Sequence, residues 1–498
     1  MVLPALAFFP GLIRTPLLAS TIPIIGILIT NTIGLGLYYS GHYSQSVVCA
    51  ITVILAVIAA VRIFFYTRSQ PLDWHKTDGY ILLINIALLL PMLVFNGIST
   101  FLTDDALASW NYWGMHFYWG EFPETYGYPP FFPIFLSYCY KLLGNPEYQG
   151  PVKALLCIFP FVMMNNIAFI SKRTFQLLPV YLLLAFCCVF PGFLSIGFYK
   201  FYTTGYADPM LAAGVSATVA LLLKYLDEQK NAYLWYAILC GITAALTKQT
   251  AFLLVLFSMP LTILWQSQRQ KKLGLKIIFA LLILVLPIAI WLLGPGGHFY
   301  NNQGVITASM HTSHITISNM LRTLASSIYT YFIKQPTLLL IYILAGITAV
   351  KQASKLVFYI SFIVIATLLW FIFGAYHIRL GLHAIVCCAL LIANYDYFAK
   401  TIEQYFPKYR VLSHYINTHI KKISYVILIL SAILFVIFSI REQLNKHQNM
   451  PGRIYPLNAG LTSMGKYFGS GANFVYSEIY DNPKVKIWVP GNRYIAGI

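Results

Sequence analysis

The sequence predicts an all-α protein that crosses a membrane many times. Three observations carry that prediction. The 498-residue chain is 59% hydrophobic and only 10% charged, with a mean hydropathy of +0.70, a balance foreign to soluble domains. Its apolar runs are continuous rather than alternating, which indicates helices and not a transmembrane β-barrel. Its basic residues gather in short loops that fall on one side of a single topology. The formal net charge of +18 therefore reflects membrane orientation and not nucleic-acid binding. The eight cysteines lie in apolar segments without a CxxC pair and read as small hydrophobes. The start, MVLPALAFFPGLIR, lacks a charged n-region and leads into a full apolar run, so a cleavable leader is not expected.

Runs of spanning or near-spanning length occur at 16–38, 47–66, 80–98, 152–170, 177–196, 206–226, 232–246, 250–265, 275–293, 336–350, 356–374, 380–397 and 423–440. This makes about thirteen helices. With Arg14 in the cytoplasm, Arg68, Lys76, Lys172, Arg173, Lys224, Lys230, Arg269, Lys271, Lys272, Lys276, Lys351 and Lys355 all fall inside. The 400–422 loop with its lysines and Arg410 falls inside as well, while the opposite loops are poor in basic residues. The transmembrane domain occupies 1–440, with a first large outer loop at 99–151. An extracytoplasmic tail, 441–498, follows, in which KVKIWVP near Lys484 alternates like a strand.

That topology requires the apolar stretch 128–143 to stay on one side. As a helix it reaches roughly 24 Å, short of a hydrocarbon core of about 30 Å. Pro129, Pro130 and Pro133 crowd its start, and Lys141 lies near its end. It is expected to be an amphipathic helix lying in the outer interface.

The rest of the chain is arranged around the stretch 101–143. It opens on the adjacent carboxylates Asp104 and Asp105, beside an apolar run and followed by Trp110, Trp113 and Trp119. One Asp suffices to cap a helix; two, in an acid-poor membrane protein, point to general base chemistry or cation binding. The tryptophans fit an interfacial aromatic belt as well as sugar or lipid contact. Asp208, in Ala207-Asp208-Pro209, reads as an N-cap before a proline, and equally as a site residue. Lys248 sits at a hinge between two apolar runs with no acid nearby in sequence. It either snorkels or binds a phosphate as a point charge. His377 and Arg379 sit at the end of a span on the base-poor side, where an arginine fork suits a phosphate. His311 and His314 have a spacing open to metal but lack a third ligand nearby. No glycine-rich phosphate cradle is present, so a cytosolic nucleotide is not implied.

In order and spacing these motifs resemble the GT-C superfamily of polytopic glycosyltransferases, and within it the protein O-mannosyltransferase and lipid A aminoarabinose transferase-like family. The likeness lies in the acidic pair Asp104-Asp105 (Asp-Glu in most of the family) and in Tyr128-Pro129-Pro130 opening a helix that runs to Lys141-Leu142-Leu143-Gly144. It continues in Tyr206-Ala207-Asp208-Pro209 and in the Leu246-Thr247-Lys248 hinge. It covers roughly 101–265 by motif and the remainder by architecture. The resemblance implies a GT-C fold and transfer of a sugar from a polyprenyl- or dolichyl-phosphate donor to a lipid, glycan or protein acceptor at the extracytoplasmic face, with inversion. Asp104 then matches the general base, and Asp105 orients it. Lys248, Arg379, Asp208, Tyr128, Trp110 and His377 bind substrate, and a divalent cation (Mg or Mn) would be held by Asp104, Asp105 and Asp208. The bacterial plasma membrane, with the site facing outward, is the expected location. Two other classes fit a polytopic basic chain: a transporter or flippase of lipid-linked sugars, and a catalytically inert member that binds glycolipid.

Overall fold

The computed structural model describes residues 2–97, 101, 106–123, 128–170, 205–269, 275–293, 317–350, 353–373, 378–394, 486–489 and 493–496. The protein is an integral, multi-pass, helical membrane protein. Among the described residues seven helices are long and apolar enough to cross a membrane, or eight if one sharply bent pair counts as a single span. The expected runs at 177–196 and 423–440, and nearly all of the 441–498 tail, lie outside the described residues. The other expected runs are helical where described. Those at Asn231–Ala245, Ile277–Leu293 and Ile378–Ala393 are shorter than a full crossing.

The chain begins with α1 (Val2–Phe8) and α2 (Pro16–Tyr39), the latter capped by the Thr15 hydroxyl, which accepts from Leu18 N–H. Then come α3 (Gln45–Ser69), α4 (Lys76–Gly97), α5 (Asn111–Trp119), α6 (Phe131–Leu143), α7 (Gln149–Leu155) and α8 (Ile158–Ile170). The second half holds α9 (Asp208–Glu228), α10 (Asn231–Ala245), α11 (Thr250–Gln268), α12 (Leu275–Leu293), α13 (Ile317–Ile328), α14 (Pro336–Val350), α15 (Ser354–Ile372) and α16 (Leu382–Ala393). One departure from an all-helical fold is a two-stranded antiparallel hairpin. It pairs β1 (Lys486–Val489) with β2 (Arg493–Ala496), and β1 falls on the alternating KVKIWVP stretch.

Helix α9 is the axis of the bundle. Some 94% of its apolar window is buried, against 17% for α3, so α3 presents Val53, Val57, Val61 and Phe65 to lipid while α9 is enclosed by α2, α8, α10 and α16. Small residues allow the close approach: Gly214 of α9 lies directly against Ala244 of α10. Buried polar side chains join the helices. Ser20 of α2 donates to Asn166 of α8, which donates to Ser216 of α9 at 2.9 Å, and Asn85 of α4 donates to Asn165 at 2.7 Å.

Two expectations are corrected here. The segment after Tyr128 forms α6, but over Phe131–Tyr140 it has no exposed polar side of the kind expected: every residue there is buried. Its aromatic residues Phe132, Phe135, Tyr138 and Tyr140 are all buried, and the helix packs against α2, α3 and α5. The tryptophans do not form one belt either. Trp110 and Trp113 are 5% and 2% exposed, and Trp119 alone of the three reaches the surface, at 36%.

Candidate functional site

Asp208 is the first residue of α9, with Pro209 behind it. Its carboxylate caps nothing: the residue before the helix is Ala207, and no side chain there bonds the first turn. The capping reading is therefore set aside. Instead Oδ1 accepts a hydrogen bond from Lys248 Nζ at 2.7 Å, and Oδ2 lies 3.6 Å from Arg379 Nε. All three side chains are buried. Lys248 does not snorkel to water; the acid that satisfies it lies forty residues earlier in the chain.

Three separate pieces of local structure bring these groups together. Lys248 sits in the hinge between α10 and α11, held by the Thr247 hydroxyl donating to Thr243 C=O at 2.7 Å. The Leu246 carbonyl of the same hinge accepts from Phe131 N–H at 3.3 Å, tying the start of α6 to it. Arg379 lies in the short 3₁₀ turn Ile378–Gly381 that leads into α16, and its guanidinium stacks 3.5 Å from the centroid of Tyr206. Gly205 precedes them with a φ of +87°. A Cβ there would run into the Phe101 ring and come 3.2 Å from Ala106 Cβ, so glycine is needed on both counts. Phe101 is itself anchored, its N–H donating to Gln149 Oε1 at 3.0 Å.

Asp104, Asp105 and His377 lie outside the described residues, as do His311 and His314. Phe101 and Ala106 flank the acidic pair on either side, and both lie against Gly205, three residues from Asp208. Tyr128 and Trp110 are within the same neighbourhood. Tyr128 interacts electrostatically with Lys248, and its ring meets Trp110 edge-on at 5.2 Å. Trp110 in turn meets Trp113 at 5.1 Å and Phe132 at 5.8 Å. Of the three residues expected to hold a cation, Asp208 alone is described, and its two oxygens face Lys248 and Arg379. Its part here is that of a counter-ion. Among the described residues no three His, Cys, Asp or Glu side chains group together.

Burial alone would push the Lys248 ammonium down from its ordinary pKa; the Asp208 carboxylate, with Tyr128 adding to it and Arg379 opposing, holds it above. Two buried cations gathered at one carboxylate have the donors to hold an anion with several acceptor oxygens, such as a phosphate.

One residue of the cluster escaped the sequence analysis. His383 of α16 is buried and interacts with both Asp208 and Lys248. Its signal was present: an ionisable residue within an apolar run, four positions after Arg379 in the chain.

No family model, curated protein or solved structure matches the chain.

The opposite end of α9 has a different character. Lys224 and Lys230 both reach Glu228, and Asp227 takes Lys355 at 3.5 Å and the Asn394 amide at 3.1 Å. Asp208 and Glu228 bound a 21-residue helix, so about 30 Å separates the two clusters. Lys224, Lys230 and Lys355 thus cluster at one end, and Asp208, Lys248 and Arg379 at the other, as the distribution of basic residues required.

Proposed function

We propose that the protein is a membrane glycosyltransferase. It moves a sugar from a polyprenyl- or dolichyl-phosphate donor to a lipid, glycan or protein acceptor at the extracytoplasmic face, in the bacterial plasma membrane. The observation that carries this reading is the convergence of Lys248 and Arg379 on Asp208, at the end of α9 away from the basic loops. In the proposed reaction these two cations stabilise the departing phosphate electrostatically, and Asp208 holds them in place. Tyr128 and Trp110 border the sugar. Asp104 takes the proton of the acceptor hydroxyl in a single inverting displacement, with Asp105 orienting it or helping to bind a divalent cation. A lipid donor reaches such a site laterally, which agrees with the lack of any nucleotide cradle. The experiment is reconstituted transfer of labelled sugar from a polyprenyl-phosphate donor. Transfer by the parent protein, lost on substitution of Asp104, supports the reading; no transfer to any acceptor class removes it.

A second reading, a flippase of lipid-linked sugars, is favoured by one observation. Met320–Ile333 and Leu338–Val350 pass as a span only together, yet meet at 92°, and broken helices are common in transporters. Movement of a labelled lipid-linked sugar across proteoliposomes without sugar transfer would select it.

A further inference from the structure

Helix α14 stands lengthwise in the lipid. Leu340, Ile343, Ile347 and Val350 are exposed along its whole length, while Leu338, Tyr342, Ala345 and Ala349 are buried and the helix packs against α15 and α16. Lys355, five residues after its last, reaches Asp227 at the end of α9 away from Asp208. The start of α14, at Pro336, is therefore on the Asp208 side. Its 15 residues reach about 22 Å, short of a hydrocarbon core of about 30 Å. The helical segment before it, Met320–Ile333, meets it at 92°. A helix at a right angle to an upright one runs along the membrane plane, here near the boundary between acyl chains and headgroups.

The side chains of α13 sort into three directions. Leu321 and Ile328, seven residues apart and so nearly in line, are 60% and 40% exposed. Arg322 and Ser326 are exposed as well, about 100–140° further round the helix. On the third side Ser327 is buried and donates to Phe371 C=O of α15 at 2.9 Å, with Leu324 packed on the core. Protein, lipid and water are the three surroundings of a helix at a membrane boundary. Charge agrees with that place: from Gly294 to Gln335 the chain carries Arg322 and Lys334 and no acidic residue, which suits lipid phosphates. The helix is also joined to the cluster. The Tyr331 ring, just past α13, lies 4.6 Å from that of Trp370, and Trp370 covers Gly381 so closely that no Cβ would fit there. Gly381 closes the turn that carries Arg379.

We propose that α13 is an interfacial helix whose partner is the phospholipid surface of the leaflet on the Asp208 side. Leu321 and Ile328 enter the acyl chains, and Arg322 and Ser326 stay among headgroups and water. This seat goes beyond the sugar-transfer reading and does not depend on it. The test uses the full-length protein in nanodiscs of phosphatidylcholine and phosphatidylglycerol. Leu321→Cys, Ile328→Cys, Arg322→Cys and Ser326→Cys each receive a nitroxide label, and the parent protein with its native cysteines supplies the background. All four side chains are exposed, so the substitutions spare the packing of α13. Depth is read from relaxation by oxygen, which gathers in lipid, against a water-soluble nickel chelate. The labels at 321 and 328 should respond to oxygen and lie at the same depth; those at 322 and 326 should respond to the chelate. A depth difference of about 10 Å between 321 and 328, the rise of seven helical residues, would make α13 half of a broken span and overturn the proposal. Four labels open to the chelate would lift the helix off the membrane and overturn it as well.

Discussion

The ammonium of Lys248 lies 2.7 Å from a carboxylate oxygen of Asp208, the two residues closing one end of the α9–α10 hairpin. A pair this well buried stands or falls together. Removing one partner leaves the other charged and desolvated, at a cost of roughly 3–5 kcal/mol. Asp208→Asn should therefore lower thermal stability sharply, because the carboxylate that Lys248 and Arg379 both face is then lost. Adding Lys248→Met should recover part of the loss. A single variant as stable as the parent, measured by thermal unfolding in detergent, would contradict the buried pairing.

The catalytic assignment turns on Asp104. Asp104→Asn keeps the shape of the side chain and loses its proton-accepting power. Transfer should fall by roughly a hundredfold or more, with little change in thermal stability because Asn caps a helix about as well as Asp. Transfer at the parent rate would end the assignment. Asp105→Asn separates the supporting roles: loss rescued by added divalent cation points to a metal site.

Topology can be read from the two ends of α10. Thr250, beside the Lys248 hinge, and Lys230, at the other end, are both exposed. The described native cysteines are buried, apart from a half-buried Cys49, and the parent protein gives the background against which labelling is read. With a membrane-impermeant thiol reagent applied to intact cells, Thr250→Cys should label and Lys230→Cys should not. The reverse pattern would place the cluster on the cytoplasmic side and remove the proposed orientation.

Gly205→Ala tests how the first loop is joined to the site. The alanine would adopt an unfavourable positive φ and collide with Phe101, costing more than about 1 kcal/mol. If Phe101 and Ala106 seat the acidic pair against Asp208, transfer should fall further than the stability loss explains. Full activity in a folded Gly205→Ala protein would uncouple the loop from the cluster.

Inside the bundle, Asn166→Leu removes the link between Ser20 and Ser216. Interhelical hydrogen bonds of this kind contribute about 0.6–2 kcal/mol in membranes. The midpoint of unfolding in denaturing detergent should drop accordingly, and an unchanged midpoint would make the ladder incidental.

How much of this was legible beforehand varies with the physics involved. Helix positions follow from the cost of unpaired backbone in lipid, a local property, so the apolar runs marked them well. The same holds for the grouping of Lys224, Lys230 and Lys355 at one end of the bundle, because charge bias is additive along the chain. The Asp208–Lys248 pair was not readable. Its members lie at the two far ends of a helical hairpin, and Asp208 before a proline has the local look of a cap. For α6, a short apolar helix was legible and Phe131–Leu143 is one, but helix–helix packing decided its burial, and Phe132, Phe135 and Tyr138 carry no mark of which neighbours enclose them.

Helix α9 binds α16 at both extremities, through Asp208 to Arg379 at one end and through Asp227 to Asn394 at the other. The two fastenings are unequal. The Asp208 end is a dry set of charges that an incoming anion would compete for, while the Asp227 end, 30% exposed, meets a neutral amide. Were the proposed donor phosphate to bind Arg379, it would compete with the first fastening and leave the second untouched. The contact at Asn394 would then be the one that keeps α16 on α9 while the cluster is filled.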